Sequence, residues 1–415
     1  MRFYFPDSQD LVSPTYDFIH DEYSPTRVRQ RDDLYAHEVL GGLPYDGILV
    51  SKAIVDGSVK GAGKYSEPQR QRLYRLGVEK FFRLPRGMES LGDCGAFNYA
   101  SEPEPPYTVA EVVDFYEGCG FQAGVSMDHI ILGYDDESAL DDVASEWVRR
   151  HALTLRLADE FLEEVERRGR PFEPVGVAQG WSPHSYAESV RQLQAMGYQR
   201  IALGGMVPLK THQIVDCLQA IDSAREPITE LHLLGVTRVE SMPTFASLGV
   251  TSFDSTTPLR QAFMDDRSNY HTVDTPFTAI RVPQVDGNPS LRRAILAGDV
   301  RQKDAVTLER KSLKALRSFD AGDLGVRETL ATVLEYENLV LGGKKSYAEA
   351  YEESLTCAPW KTCGCLLCKD LGIEIMIFRG TERNKRRGFH NLRVLAEKVR
   401  QLESPAKKVR SKVHA

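Results

Sequence analysis

Short apolar runs rich in β-branched residues alternate along the chain with longer stretches whose apolar residues recur at helical spacing. The runs are FYFPDS (3–8), DGILVSK (46–52), LGDCGAF (91–97), AGVSMDHI (123–130), PVGVAQG (174–180), RIALGG (200–205), ELHLLGV (230–236) and TSFDST (251–256). Between them, YTVAEVVDFYEGCG and SYAESVRQLQAMGY place apolar residues on one helical face and stop at a glycine, the residue that most easily adopts the left-handed turn ending a helix. A longer helix is predicted from Ser138 to Arg168, with Trp147, Val148, Leu155, Phe161, Leu162 and Val165 at helical spacing and Gly169 at its end. Nearly continuous apolar strands with helices between them predict a parallel sheet covered by helices, and eight such units can close into a (β/α)8 TIM barrel. A doubly wound open sheet is the alternative, but no G-x-G-x-x-G follows an early strand to support it.

Beyond Asp254 this rhythm stops. The stretch PLRQAFMDDRSNYHTVDTPFTAIRVPQVDGNPSLRRA is loop-like with one strand at FTAIRV, and helices are then predicted over 307–318, 325–339, 346–355 and from about His390 to Glu403. The expected division is a catalytic barrel over 1–300, a helical zinc-binding subdomain over 301–403 and a basic, disordered tail over 404–415.

Several strands end in a polar or unusually small group: Asp93, Asp128, Gln179 with Gly180, Gly204 with Gly205, and Asp254. A barrel gathers the carboxyl ends of all its strands on one face, so these residues would surround one pocket. A single carboxylate there reads equally well as a helix cap or turn residue; three carboxylates and an amide at matching strand ends do not. Far downstream, Cys363, Cys365 and Cys368 crowd together and His390 can complete a tetrahedron. Zinc suits that donor set, and a closed Cys3His shell makes the metal structural rather than catalytic; free thiols in a loop are the alternative. Cys357 lies six residues earlier and is set aside as a ligand, and Cys119 and Cys217 fall in helical patterns as small buried apolar residues.

Composition narrows the function classes. A net charge of −7 on 415 residues argues against coating nucleic acid by bulk charge, but RGTERNKRRGF sets Arg379, Arg383, Lys385, Arg386 and Arg387 beside the cysteine cluster; a solvated face is the default reading of such a run, and a local basic face for a phosphate backbone is the functional one. The odd count of seven cysteines speaks against a secreted disulfide framework. MRFYFPDSQD has no charged region followed by an apolar one, and no stretch approaches about 18 apolar residues, so a cytoplasmic protein without membrane contact is expected.

Taken together in order, these segments resemble the tRNA-guanine transglycosylase family. Its zinc ligands follow C-x-C-x-x-C and a distant histidine, as Cys363, Cys365, Cys368 and His390 do. Its D-S-G-G-[FY] motif is similar to DCGAF, which implies Asp93 as general acid/base; its F-D-E strand end is similar to MDH, which implies Asp128 as a purine holder. G-x-Q-G and V-G-G-L resemble GVAQG and LGGM, implying Gln179, Gly205 and Met206 as base contacts, and F-D-x-x-x-P resembles FDSTTP, implying Asp254 as nucleophile. Each motif alone is weak, but six in order at compatible spacing are specific.

The chemistry agrees with these roles. Cleaving an N-glycosidic bond builds positive charge at C1′, which one aspartate can capture covalently while a second carboxyl group moves the proton of the leaving and entering bases. Guanine offers N1–H and its 2-amino group to a carboxylate and O6 to an amide or backbone N–H.

Departures from the family pattern point to a branch. The stretch L-P-T-R-x-G-R-N-G of the bacterial tRNA enzymes is replaced by PLRQAFMDDRSNYH, Cys94 and His129 stand where serine and glutamate are usual, and an appended RNA-binding domain of the kind the archaeal tRNA enzymes have is not expected. With FPDSQDLVSPTYDF at the start, the chain looks most like the branch that inserts 7-deazaguanines into DNA in modification and restriction systems. That likeness implies DNA and 7-cyano-7-deazaguanine (preQ0) as partners, with a helper ATPase as a further one. The same exchange on tRNA, or a catalytically silent zinc-containing barrel that binds nucleic acid, are the alternatives; retention of both Asp93 and Asp254 speaks against the silent barrel.

Overall fold

A computed structural model describes residues 1–58, 61–135 and 143–403. Every one of the eight expected strands forms. Strands β1 (Arg2–Pro6), β2 (Gly47–Ser51), β3 (Glu89–Asp93), β4 (Ala123–Val125), β5 (Glu173–Ala178), β6 (Arg200–Leu203), β7 (Glu230–Leu233) and β8 (Val250–Asp254) pair in parallel with their chain neighbours. Pairing of β1 with β8, with Tyr4 opposite Asp254, closes the ring. The open doubly wound sheet is thereby excluded.

The barrel closes because its interior is filled to the size of eight strands. Tyr4, Leu49, Leu91, Ala123, Val125, Val175, Val177 and Ala202 form one buried cluster. Outside, helices α1 (Glu67–Phe82), α2 (Val109–Cys119), α3 (Ser145–Arg167), α4 (Pro183–Met196) and α5 (Thr211–Ala224) follow their strands. Thr108 caps α2 by accepting from the Glu111 amide while the Glu111 carboxylate accepts from the Thr108 amide, and Gly120 ends it at φ +71°. The ring of Tyr116 on α2 lies so close to β3 and β4 that a Cβ at Gly92 or Gly124 would meet it at 2.4 Å, so the helix can approach the sheet only over glycine. Leu155, Phe161, Leu162 and Val165 of α3 are buried as expected, whereas Val148 is exposed; the first residues of the predicted 138–168 helix fall among 136–142, outside the described residues.

At the amino ends of the strands a polar plug replaces apolar filling. Arg200 Nη2 donates to the Tyr4 hydroxyl at 2.9 Å, Tyr4 bonds Glu89, and Arg2 reaches Glu230 at 2.5 Å. Burial of Tyr4 and its carboxylate neighbour push its pKa up to about 12, against the pull of Arg200, so it remains a neutral donor to Glu89.

Two compact units result, and their bounds depart from the division expected at residue 300. One comprises residues 1–9, 45–256 and the chain from 398; the other comprises 10–44 and 257–397. Within the second, Asn391 Nδ2 donates to the carbonyls of Pro258 and Asn269, and Arg386 donates to the Ser13 carbonyl, tying segments 10–44 and 257–300 to the helical lobe through buried polar groups. Its helices Gln302–Ala321, Val326–Leu341 and Ala348–Cys357 match the pattern. FTAIRV is split between two short strands: Phe277 ends Pro276–Phe277, paired antiparallel with Tyr270–His271, and Ile280–Arg281 pairs with Ile377–Phe378. The helix expected from His390 begins at Gly380. The tail 404–415 lies outside the described residues, and no described helix is long and apolar enough to cross a membrane.

Candidate active site and metal centre

The carboxyl ends of the barrel strands carry the expected groups. Asp93 is the last residue of β3 and Asp254 of β8; Gln179 follows β5 directly, Gly204, Gly205 and Met206 follow β6, and Asp128 comes three residues after β4. Asp128 is buried, and both of its oxygens are engaged: Gln179 Nε2 donates to Oδ2 at 2.6 Å and the Cys94 thiol to Oδ1 at 3.3 Å. The Gln179 amide is in turn oriented by the Ile131 N–H, which donates to its Oε1 at 3.1 Å. Tyr99 backs this group, its hydroxyl 3.0 Å from Cys94 Sγ and 3.2 Å from the Asp128 carbonyl. Gly205 has φ +73°, and a Cβ there would stand 2.5 Å from the Ile131 carbonyl and 2.9 Å from Gln179 Oε1, so only glycine lets the backbone pass this close. Met206 is fully buried beside it in sequence.

The three carboxyl groups differ in environment. Burial, the nearby charge of Asp128 and that of Asp254 push Asp93 up to about 7, against hydrogen bonds from the Gly95 amide and Ser51. Burial lifts Asp128 to about 6, opposed by its bonds from Gln179 and Cys94. Asp254 instead receives two N–H groups on one oxygen: Gly235 N at 2.9 Å and His232 Nε2 at 3.2 Å from Oδ1. One carboxyl is therefore poised to exchange a proton near neutral pH, and another is held by donors with its second oxygen unbonded among the described residues. Two carboxyl groups in such unlike surroundings, one lifted by burial and one held at a single oxygen by two N–H donors, can divide acid/base and nucleophilic work.

His232 was missed by the sequence reading, which treated ELHLLGV only as a strand. The available signal was a lone histidine between two leucines of a buried strand. His129, next to Asp128 in sequence, is engaged elsewhere: its Nε2 bonds the Glu102 carbonyl at 2.8 Å and its amide donates to the Thr154 hydroxyl at 3.0 Å, the contacts of a packing residue.

In the second unit, one ligand atom each from Cys363, Cys365, Cys368 and His390 lies within 4.8 Å of all the others, so the four could hold one metal ion. His390 Nε2 is 2.7 Å from the His271 carbonyl, which only accepts, so Nε2 carries the proton and Nδ1 presents its lone pair to the thiols. Tyr270 stacks on the imidazole at 4.2 Å and its hydroxyl lies 3.2 Å from Cys368 Sγ. Cys357 is exposed and outside the cluster, and Cys119 and Cys217 are buried, as read.

The basic run beside this cluster is not a surface. Arg379 is held by Asp21 and Glu309, Arg383 by Asp21 and Glu374, and Arg386 by Glu382, while Arg387 donates to the carbonyls of Ile375, Ile377 and Ala262. All four are buried, Arg387 completely, and desolvation lowers the Arg387 pKa to about 9. Burying these guanidinium groups is tolerable because each finds carboxylates or carbonyls contributed by segments distant in sequence. The expected phosphate-binding face at these four residues is thereby corrected to an internal brace.

No family model matches the chain. It is 49% identical over 404 residues, 96% of both chains, to a protein from Salmonella montevideo described as a DNA-guanine transglycosylase. With that identity over nearly its full length, and with the barrel and cysteine–histidine cluster in place, the chain is an enzyme of the tRNA-guanine transglycosylase family, in its DNA-guanine transglycosylase branch.

Proposed function

We propose that this enzyme exchanges guanine in DNA for a 7-deazaguanine base, preQ0 by resemblance, through a covalent aspartyl-glycosyl intermediate. The observation that carries the reading is the unlike pair of carboxyls at the barrel mouth: Asp93 lifted to about 7, and Asp254 bonded at Oδ1 with Oδ2 unbonded among the described residues. The name of the similar Salmonella protein favours DNA as the polymer.

In the first half-reaction an Asp254 oxygen forms a bond to C1′ as the C1′–N9 bond breaks, and neutral Asp93 gives its proton to the departing guanine. In the second, the entering base loses its N9 proton to ionised Asp93, its nitrogen attacks C1′, and the Asp254 ester bond breaks. Two displacements retain configuration at C1′ and restore both carboxyls. Asp128 accepts from the N1–H and 2-amino group of the base, while the Gln179 amide, the Gly205 backbone and Met206 border its other edge. A target guanine in duplex DNA must be flipped out, at a cost of a few kcal/mol, to enter.

For the second unit the proposed ion is one structural zinc per chain. The Sγ to Nδ1 separations of 3.7, 3.5 and 3.4 Å compare with about 3.6 Å for a tetrahedral ion at usual Zn–S and Zn–N lengths. Bound there it would fix the fold of this unit and leave the exchange to the barrel residues. A cytoplasmic location and a helper ATPase complete the proposal.

The test is incorporation of radiolabelled guanine or preQ0 into plasmid DNA and into tRNA by wild type and Asp254→Ala. Exchange into DNA with the alanine variant inert is expected. Incorporation into tRNA alone would overturn the DNA assignment, and undiminished exchange by Asp254→Ala would overturn the nucleophile.

A further inference from the structure

His232 and Ser252 are Cα partners across β7 and β8, and Ser252 precedes Asp254 by two residues, so both point to the same side of the sheet. The imidazole lies between them: Nδ1 is 2.9 Å from Ser252 Oγ and Nε2 is 3.2 Å from Asp254 Oδ1. A carboxylate that is to attack C1′ must be ionised and then only accepts, so in that role Nε2 carries the hydrogen; Nδ1 accepts from the serine hydroxyl, which fixes the tautomer. His232 has no solvent exposure, and the Tyr4 ring packs edge-on against it at 5.7 Å between centroids. The ring is therefore held by a hydrogen bond at each nitrogen and by an edge-on aromatic contact.

The result is asymmetric. Both donors to Asp254, His232 and the Gly235 amide, converge on Oδ1, and Oδ2 receives no hydrogen bond among the described residues. Hydrogen bonding reduces the electron density available on an oxygen, so the unbonded one is the better nucleophile. We infer that His232, locked by Ser252, is a positioning residue that anchors Asp254 through Oδ1 and thereby presents Oδ2 as the atom that attacks C1′. A neutral imidazole suits this task. It orients the carboxylate without the full ion pair that lysine or arginine would make, and burial together with Arg200 and Arg2 keeps the ring from protonating despite the carboxylate beside it.

The inference rests on Asp254 as nucleophile, and its test separates the two. Full-length His232→Phe removes the donor while keeping an aromatic ring; His232→Gln keeps an N–H donor on a shorter planar group. Formation of the DNA–protein adduct is followed in single turnover by denaturing gel with labelled plasmid DNA, alongside kcat and KM for preQ0. The phenylalanine variant should form adduct about 10- to 100-fold more slowly, the range expected for losing a hydrogen bond to a charged group, with KM for preQ0 unchanged, and glutamine should recover much of the rate. Core packing alone would move the melting temperature in both variants but would not give this order or spare KM. Wild-type adduct formation by His232→Phe, or an equal loss in the glutamine variant at wild-type melting temperature, would overturn the positioning role. Persistence of adduct in Asp254→Asn would instead remove the nucleophile on which it rests.

Discussion

Asp93 should destabilise the folded enzyme at the pH where it is most useful, and Asp93→Asn reads out that tension. In the folded barrel its pKa rises from 3.8 to about 7, chiefly by burial and then by Asp128. Between these values the native state holds a proton that the unfolded chain has released, so stability falls as pH rises from about 4 through about 7. At about 1.4 kcal/mol per tenfold in proton affinity, the ionised group costs at most about 4 kcal/mol at pH 8. Because Asp93 keeps partial contact with solvent, about half of this is expected. Asparagine is nearly isosteric and cannot ionise. The variant should lose exchange activity, unfold at higher urea concentration than wild type at pH 8, and show a smaller advantage at pH 4.5, where the unfolded chain has only begun to gain from ionising this group. Asp128, lifted to about 6, leaves a residual slope of the same sign in both proteins. Urea titrations at the two pH values, followed by far-UV circular dichroism, decide the matter. An Asp93→Asn protein as pH-sensitive as wild type, or less stable at pH 8, would refute the account of Asp93 as a group kept protonated by its surroundings.

Gly205→Ala forces a Cβ against the Ile131 carbonyl and Gln179 Oε1, so KM for preQ0 should rise at least about tenfold with zinc content unchanged; an unaltered KM would contradict the base-binding role of this turn. Removing the buried Arg383 leaves Asp21 and Glu374 short of a partner, and Arg383→Ala should destabilise the second unit by about 3 kcal/mol in chemical denaturation; a change under 1 kcal/mol would mean that the brace is dispensable. Cys365→Ser should bring zinc by atomic absorption from one per chain to near none and lower the melting temperature, whereas retention of metal would remove this ligand set.

How much was legible beforehand can be judged from particular residues. All eight barrel strands and the C-caps at Gly120 and Gly197 were visible because apolar periodicity and glycine placement are local consequences of burial and backbone sterics. Asp93, Asp128, Gln179, Gly205 and Asp254 could be picked out because parallel barrel topology places strand ends together whatever the intervening sequence. The cysteine cluster was legible from donor chemistry, since three thiols so close in sequence need only one distant histidine.

The basic run shows where this reasoning fails. Arg379, Arg383, Arg386 and Arg387 looked like a solvated or DNA-facing surface because charge far from its partners reads as exposed. Their partners Asp21, Glu309 and Ser13 lie up to several hundred residues away, and only the folded second unit joins them. His232 was overlooked for the same reason: its identity is local, but its meaning depends on the β7–β8 register that sets it between Ser252 and Asp254. Local sequence thus determined the elements, the strand-end chemistry and the metal donors, since each follows from forces acting over a few residues. Tertiary structure decided which charges are buried, which oxygen of Asp254 is unbonded and how far Asp93 departs from an ordinary carboxyl, because desolvation and hydrogen-bond direction depend on groups that the chain brings together only when folded.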